Sequence, residues 1–131
     1  MKALDTNVLV RFLVKDDKAQ ALRVKTLFES AEKSGERFFI TTPSLLELIW
    51  VLSAVYDFTR SELVEAIQLL SQMPILEFED FELVTRLIRL GGETTADLPD
   101  LVIGLAGGAH GCESTLTFER GLEKTRLFER L

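Results

Sequence analysis

The stretch Met1-Lys2-Ala3-Leu4-Asp5-Thr6-Asn7-Val8-Leu9-Val10 decides the fold. A short apolar start breaks into three polar residues, and an apolar run resumes at once. Lys2–Leu4 reads as a buried strand. Asp5, Thr6 or Asn7 then caps a helix reaching about Val14, because each carries a side-chain oxygen for the free amides of a first turn. Strand followed directly by helix is the unit from which a parallel sheet is built.

The pattern recurs along the chain. Asp16 or Asp17 starts an amphipathic helix with Ala21, Val24, Leu27, Phe28 and Ala31 on one stripe, and Gly35 ends it. Arg37–Thr41 is a second strand. Thr42 caps a helix that has Pro43 at its first position and runs to about Asp57. Thr59 or Ser61 caps Glu62–Gln72. Pro74–Phe78 is a third strand, followed by a helix, Phe81–Leu90, stopped by Gly91-Gly92. Leu98–His110 is a helix stopped by Gly111. Ser114–Phe118 is a fourth strand, and Leu127-Phe128 adds an edge strand. The class is α/β, with a central parallel sheet of four or five strands and helices on both faces. Residues 1–131 read as one domain, without repeats, linkers or low-complexity tracts.

The composition permits a substantial core: 47% of residues are hydrophobic, and nine are Phe. No apolar run has the roughly 18–20 residues of a membrane span, and Lys2 and Asp5 bring charge too early for a signal peptide. The single Cys112 excludes an internal disulfide. A cytoplasmic protein is expected. The net charge of −6 is uneven. Residues 1–37 carry eight Lys/Arg against six Asp/Glu, and residues 47–100 carry three against eleven. The basic start suits a polyanion, and the acidic middle suits a divalent cation.

Five acids stand where a charge next to a core is costly unless paired or metal-bound. Asp5 precedes Val8-Leu9-Val10; Glu47 interrupts Leu45-Leu46 and Leu48-Ile49; Asp97 and Asp100 open Leu101-Val102-Ile103; Glu119 follows Leu116-Thr117-Phe118. All lie at or just beyond predicted strand ends or at a helix start, where sites of parallel sheets form. Carboxylates on separate elements that converge make a hard-cation site. Each has a plainer reading. Asp5 and Asp97 are helix caps, with Asp100 satisfying the same helix end as Asp97. Glu47 fits a capping box with Ser44. Glu119 is a solvated turn residue beside Arg120.

Other chemistries find little here. His110 is the only histidine, so a Ser-His-Asp or Cys-His mechanism depends on a residue placed to close a helix end. Zinc-ligand spacings and phosphate-loop motifs are absent. Gly104, Gly107 and Gly108 suit close helix packing. Trp50, Tyr56 and Phe58 suit core or dimer contact better than base stacking.

Taken in order, these motifs resemble the PIN-domain ribonucleases. Leu4-Asp5-Thr6-Asn7-Val8-Leu9 is similar to their opening, and Pro43-Ser44-Leu45-Leu46-Glu47-Leu48 to their second motif. Asp97-Leu98-Pro99-Asp100-Leu101-Val102-Ile103-Gly104 resembles the third, and Thr115-Leu116-Thr117-Phe118-Glu119 the fourth. The resemblance covers the whole chain and is strongest to the toxins of VapBC-type toxin–antitoxin pairs. Glu119 stands where the family usually has Asp, so its carboxylate reaches further. Leu101 replaces the common Ala.

The resemblance implies a three-layer sandwich and metal-dependent cleavage of RNA. Asp5, Glu47 and Asp100 would hold Mg²⁺ or Mn²⁺, with Glu119 as a further ligand and Asp97 as a ligand or a support for one. A metal-bound water would attack the phosphodiester, so no catalytic histidine is needed. Thr6, Asn7 and Thr117 are candidates for orienting carboxylates, waters or phosphate, and Arg11 and Lys15, one turn apart, either meet the RNA backbone or form a solvated helix face. The resemblance also implies an antitoxin protein that wraps the N-terminal helices. The apolar surplus of the helix from Pro43 to Asp57, with Leu45, Leu48, Ile49, Trp50, Leu52 and Tyr56, predicts a homodimer. The alternatives are an inactive protein-binding module of the same fold and a small-molecule phosphohydrolase.

Overall fold

The computed structural model describes Met1–Leu131, which divide into two compact units, Met1–Phe81 and Glu82–Leu131. It is an α/β protein in which every strand pair is parallel. In the first unit the order is β1 (Lys2–Ala3), α1 (Thr6–Val14), α2 (Lys18–Ser34), β2 (Phe38–Ile40), α3 (Thr42–Ala54), α4 (Arg60–Ser71) and β3 (Leu76–Phe78). The sheet order is β1-β2-β3, with Lys2 opposite Phe38 and Phe38 opposite Leu76.

β2 is the central strand of this sheet, and its alternation shows it. Phe38 and Ile40 are each only 1% exposed. The Phe38 ring stacks at 6.0 Å on Phe28 of α2, which meets Phe12 of α1 at 5.0 Å. This run of aromatics fastens both helices to one face of the sheet; burying a ring of this size contributes about 1.5–3 kcal/mol. β1 differs from the expected buried strand. Lys2 and Ala3 are exposed and only Leu4 enters the core, although β3, the other edge strand, buries Leu76 and Phe78.

The helices of this unit start at side-chain caps. Asp17 accepts from the Gln20 amide at 3.0 Å, and Gly35 ends α2 at φ 80°. Leu27, expected on the buried stripe, is 40% exposed; Val24, Phe28 and Ala31 suffice to seat the helix. Thr41, one residue before the expected Thr42, caps α3 by accepting from the Ser44 amide at 3.3 Å. This helix stops at Ala54, short of Asp57. Thr59 and Glu62 form a full capping box on α4, with bonds of 3.2 and 2.9 Å.

The second unit contains α5 (Phe81–Glu93, starting at the unit boundary), α6 (Leu98–Ala109), β4 (Thr115–Thr117), a 3-10 turn (Leu122–Thr125) and β5 (Phe128–Arg130). Gly91-Gly92 does not stop α5. A helical glycine costs only about 1 kcal/mol, and Thr94 closes the last turn with its amide and its hydroxyl, both bonded to the Leu90 carbonyl at 2.9 Å. His110 ends α6, its Nδ1 3.0 Å from the Ala106 carbonyl, in the capping role its place suggested. β4 and β5 form a separate two-stranded ladder, so the five strands are hydrogen-bonded as three and two. Gly104 admits β5: a Cβ there would lie 2.8 Å from the Phe128 ring and 2.9 Å from Leu127. A Cβ on Gly107 would meet the Thr115 hydroxyl at 3.0 Å, whereas Gly108 faces open space and packs on nothing. No helix is long and apolar enough to cross a membrane.

Candidate active site

Asp5 stands where β1 ends. The Leu4 amide still bonds the Phe39 carbonyl at 2.9 Å, and Asp5, extended at φ −74° and ψ 156°, turns the chain into α1. Its Oδ1 accepts from the Thr6 amide at 2.8 Å. A carboxylate has about four lone-pair positions, so this bond leaves capacity for a cation. Glu47 lies in the second turn of α3, which follows β2. Because β1 and β2 are adjacent and parallel, and α1 packs on α3, Asp5 and the helix carrying Glu47 both follow the carboxyl end of the strands. Thr6 is buried and Asn7 exposed.

Arg11 and Lys15 have different fates. The Arg11 guanidinium bonds Gln20 at 2.6 Å, Asp16 at 3.1 Å and the Tyr56 hydroxyl at 3.4 Å. Tyr56 in turn donates to Asp16 at 2.8 Å. The Tyr56 bond and, after it, the charge of Asp16 raise the pKa of Arg11 further. Arg11 therefore ties α1, the start of α2 and the chain after α3 together, a use its sequence position did not reveal. Lys15 is exposed, ends α1 at φ 59°, and borders a groove with Phe12, Lys18, Ala21, Leu22 and Lys25.

In the second unit, Asp97 occupies the cap position of α6 but makes no cap hydrogen bond. Asp100 follows in the first turn. Its carboxyl is held above the usual carboxylate range, first by burial and then by the like charge of Asp97. Glu119 is exposed just beyond β4, and its amide donates to the Thr117 hydroxyl at 3.1 Å, so Thr117 fixes the backbone that carries it. Asp97 and Glu119 line one small cleft of about 180 Å³ with Thr95, Arg120 and Lys124. The last three were missed; the signal for Arg120 and Lys124 was two cations flanking the turn at Gly121.

The premise that these acids are buried needs correction. Asp5, Glu47, Asp97 and Glu119 are exposed, and only Asp100 is half-buried. Asp5, Asp97 and Glu119 are solvated at a helix start or a loop, and Glu47 on the outward face of α3, so an acid amid apolar letters need not face the core. In neither unit do three His, Cys, Asp or Glu side chains gather closely enough to hold a metal by themselves.

An opening strand that delivers an aspartate to a helix start, a glutamate on the helix after the next strand of the sheet, and an Asp-x-x-Asp helix start together define a class. The family model of the PIN domain matches residues 2–127, and the chain belongs to that family. It is also similar to a VapC ribonuclease from Aquifex aeolicus (strain VF5), at 23% identity over 124 residues, covering 95% of this chain and 91% of the relative.

Proposed function

We propose that this chain is a metal-dependent endoribonuclease, the toxin of a toxin–antitoxin pair, and that its two units act as one nuclease domain in the cytoplasm. The observation that carries this reading is that Asp5 and the helix carrying Glu47 follow the carboxyl ends of two adjacent parallel strands in a PIN-domain chain. Family membership, which spans both units, and the relative's name support it.

The donor set fits Mg²⁺ or Mn²⁺. Asp5, Glu47 and Asp100 offer only carboxylate oxygen, which hard cations prefer, and no Cys or His is among them. Glu119 and Asp97 are the further donors. Bound there, the ion would supply an acidified water and a Lewis-acid contact to the phosphodiester. The chain's own residues do the rest. Asp5 caps α1 with one oxygen, which fixes the direction of the other. Burial and the charge of Asp97 raise the pKa of Asp100, so protons compete with a cation for it more strongly than for an ordinary aspartate. Thr117 sets the backbone of Glu119. Thr6 and Asn7 open α1 next to Asp5, and Lys15 adds positive potential for RNA, with Arg11 held nearby.

Two surfaces support partners. The groove of Phe12, Ala21 and Leu22, rimmed by Lys15, Lys18 and Lys25, suits an antitoxin segment on the N-terminal helices. Leu45, Leu48, Ile49 and Leu52 are absorbed by the core, but Trp50 (60% exposed) and Val55 (58%) on or just after α3 and Leu69 (49%) on α4 remain for a homodimer. Incubating purified protein with RNA in Mg²⁺ or Mn²⁺, beside Asp5→Asn, tests the core of the reading. Metal-dependent cuts lost in the variant support it; equal cleavage by both, or none by the parent, overturns it.

A further inference from the structure

Arg11 sits in the last turn of α1, and Tyr56 stands just past the end of α3. The Arg11 guanidinium donates to the Tyr56 hydroxyl at 3.4 Å, and that hydroxyl donates in turn to Asp16 at 2.8 Å. Both bonds of the hydroxyl therefore involve a charged partner, which makes them the stronger kind. Two backbone positions beside this cluster are strained. Lys15, just before Asp16, has φ 59°, and Asp57, just after Tyr56, has φ 55°. A residue with a side chain keeps this left-handed form only where its surroundings hold it there. The opposite ends of the same two helices carry acids. α1 and α3 begin beyond the carboxyl ends of adjacent parallel strands and pack on one another. Asp5 caps α1, and Glu47 lies in the second turn of α3. Arg11 is roughly 9 Å along the helix from Asp5, and Tyr56 roughly 13 Å from Glu47. A packed helix moves as a stiff element, so a tilt permitted at one end displaces the other.

We propose that Tyr56 is a positioning residue: through Arg11 it fixes the tilt of α1 on α3, and so the spacing of the Asp5 and Glu47 carboxylates. The inference rests on the nuclease reading and deepens it, because that spacing decides how well the pair holds a divalent cation. Hard cations tolerate little error in the placing of their oxygen ligands. Tyr56 touches neither acid's helix start, so its effect runs along the helices and not through direct contact with an ion. Arg11 has a second tie, to Gln20 of α2 at 2.6 Å. α2 carries none of the candidate acids, so this tie is expected to add stability without setting the spacing.

The test uses the full-length protein and Mn²⁺ alone, with the electron paramagnetic resonance signal of the free ion reporting binding. Tyr56→Phe deletes one oxygen and keeps the ring, so the fold should persist. It is expected to weaken Mn²⁺ binding roughly three- to tenfold, within the range of couplings carried between packed elements. Gln20→Ala cuts the tie to α2 and spares the tie to α3; it is expected to leave Mn²⁺ binding unchanged, whatever it costs in denaturant unfolding. In a Glu47→Gln background, Tyr56→Phe is expected to have no further effect on Mn²⁺ binding, since the spacing no longer matters. With RNA, Tyr56→Phe should lower kcat at limiting Mn²⁺, leave KM unchanged, and recover in excess Mn²⁺. Mn²⁺ binding by Tyr56→Phe equal to that of the parent overturns the proposal. So does an equal loss in Gln20→Ala, or a loss that persists in full beside Glu47→Gln. Cleavage by the parent separates this failure from that of the nuclease reading. If the parent cuts RNA and Tyr56→Phe binds Mn²⁺ as well as the parent, only the positioning role is wrong. If the parent binds Mn²⁺ but cuts nothing, the nuclease reading falls, and the Mn²⁺ titrations alone decide the role of Tyr56. A parent that binds no Mn²⁺ overturns both.

Discussion

Four helices of the Met1–Phe81 unit begin at side chains that close the first turn: Asp5, Asp17, Thr41 and Thr59 each accept from a backbone amide. In the Glu82–Leu131 unit, α6 begins at Asp97, whose carboxylate makes no such bond, with Asp100 carrying a raised pKa one turn on. Acid at a helix start thus has two meanings. In the first unit it is mostly committed to the backbone. In the second it stays available, and the helix forgoes a bond commonly worth about 1 kcal/mol. Asp5 spans both cases, since its cap uses one oxygen and leaves the other.

The largest expected effect is on cleavage. Asp5→Asn and Asp100→Asn should each lower the rate of Mg²⁺-dependent RNA cleavage roughly a hundredfold or more, because each removes an anionic ligand. Asn caps helices about as well as Asp, so the melting temperature of Asp5→Asn should hardly move. A fall of many degrees would mean that Asp5 serves α1 alone. Next is Gly104→Ala, which forces a methyl against Phe128 and Leu127. It should cost about 1–3 kcal/mol in denaturant unfolding. A neutral result would show β5 to be freer than its packing suggests.

Thr59→Ala breaks the capping box and should cost about 1 kcal/mol. Asp97→Ala, which breaks no cap, should cost much less. Equal losses would erase the contrast between the two units. The smallest effects concern pH, and they have opposite signs. Glu62 has its pKa lowered, first by the Thr59 backbone bond, so it stabilises above its unfolded pKa and loses this as pH falls through the folded value. Asp100 has its pKa raised, so its ionisation costs stability as pH rises through the window between its unfolded and folded values. Glu62→Gln should therefore melt slightly lower than the parent at pH 7, and Asp100→Asn slightly higher. Both differences should vanish in acid below all four pKa values.

Element types were legible from periodicity and punctuation. Asp5 was readable as a cap because polar letters break two apolar runs, and Gly35 as a stop because nothing apolar continues past it. Gly91-Gly92 misled because glycine only weakens a helix, while the carbonyl that Thr94 would use is invisible in the letters. The Thr41–Thr42 ambiguity is of the same kind: adjacent hydroxyls are equivalent until the strand's end is known. The candidate acids were legible as positions, but not their burial, since a single step along a helix separates exposed Glu47 from buried Leu48. The ties that Arg11 makes were not legible for a related reason. Its partners Gln20 and Tyr56 lie 9 and 45 residues away, beyond any local pattern.

β4 and β5 are parallel, yet only the ten residues 118–127 separate them, and a 3-10 turn takes the place of a full crossover helix. A parallel ladder is normally a distant contact that forms late, because a long loop must first be closed. Here closure is nearly as cheap as for a hairpin with a generous loop. This ladder can therefore nucleate locally and early in folding, leaving the three-stranded sheet, whose partners are some 36 residues apart, as the slower step. Pulse-labelled hydrogen exchange would then find the Thr115 amide, bonded to Leu127, protected before that of Leu4.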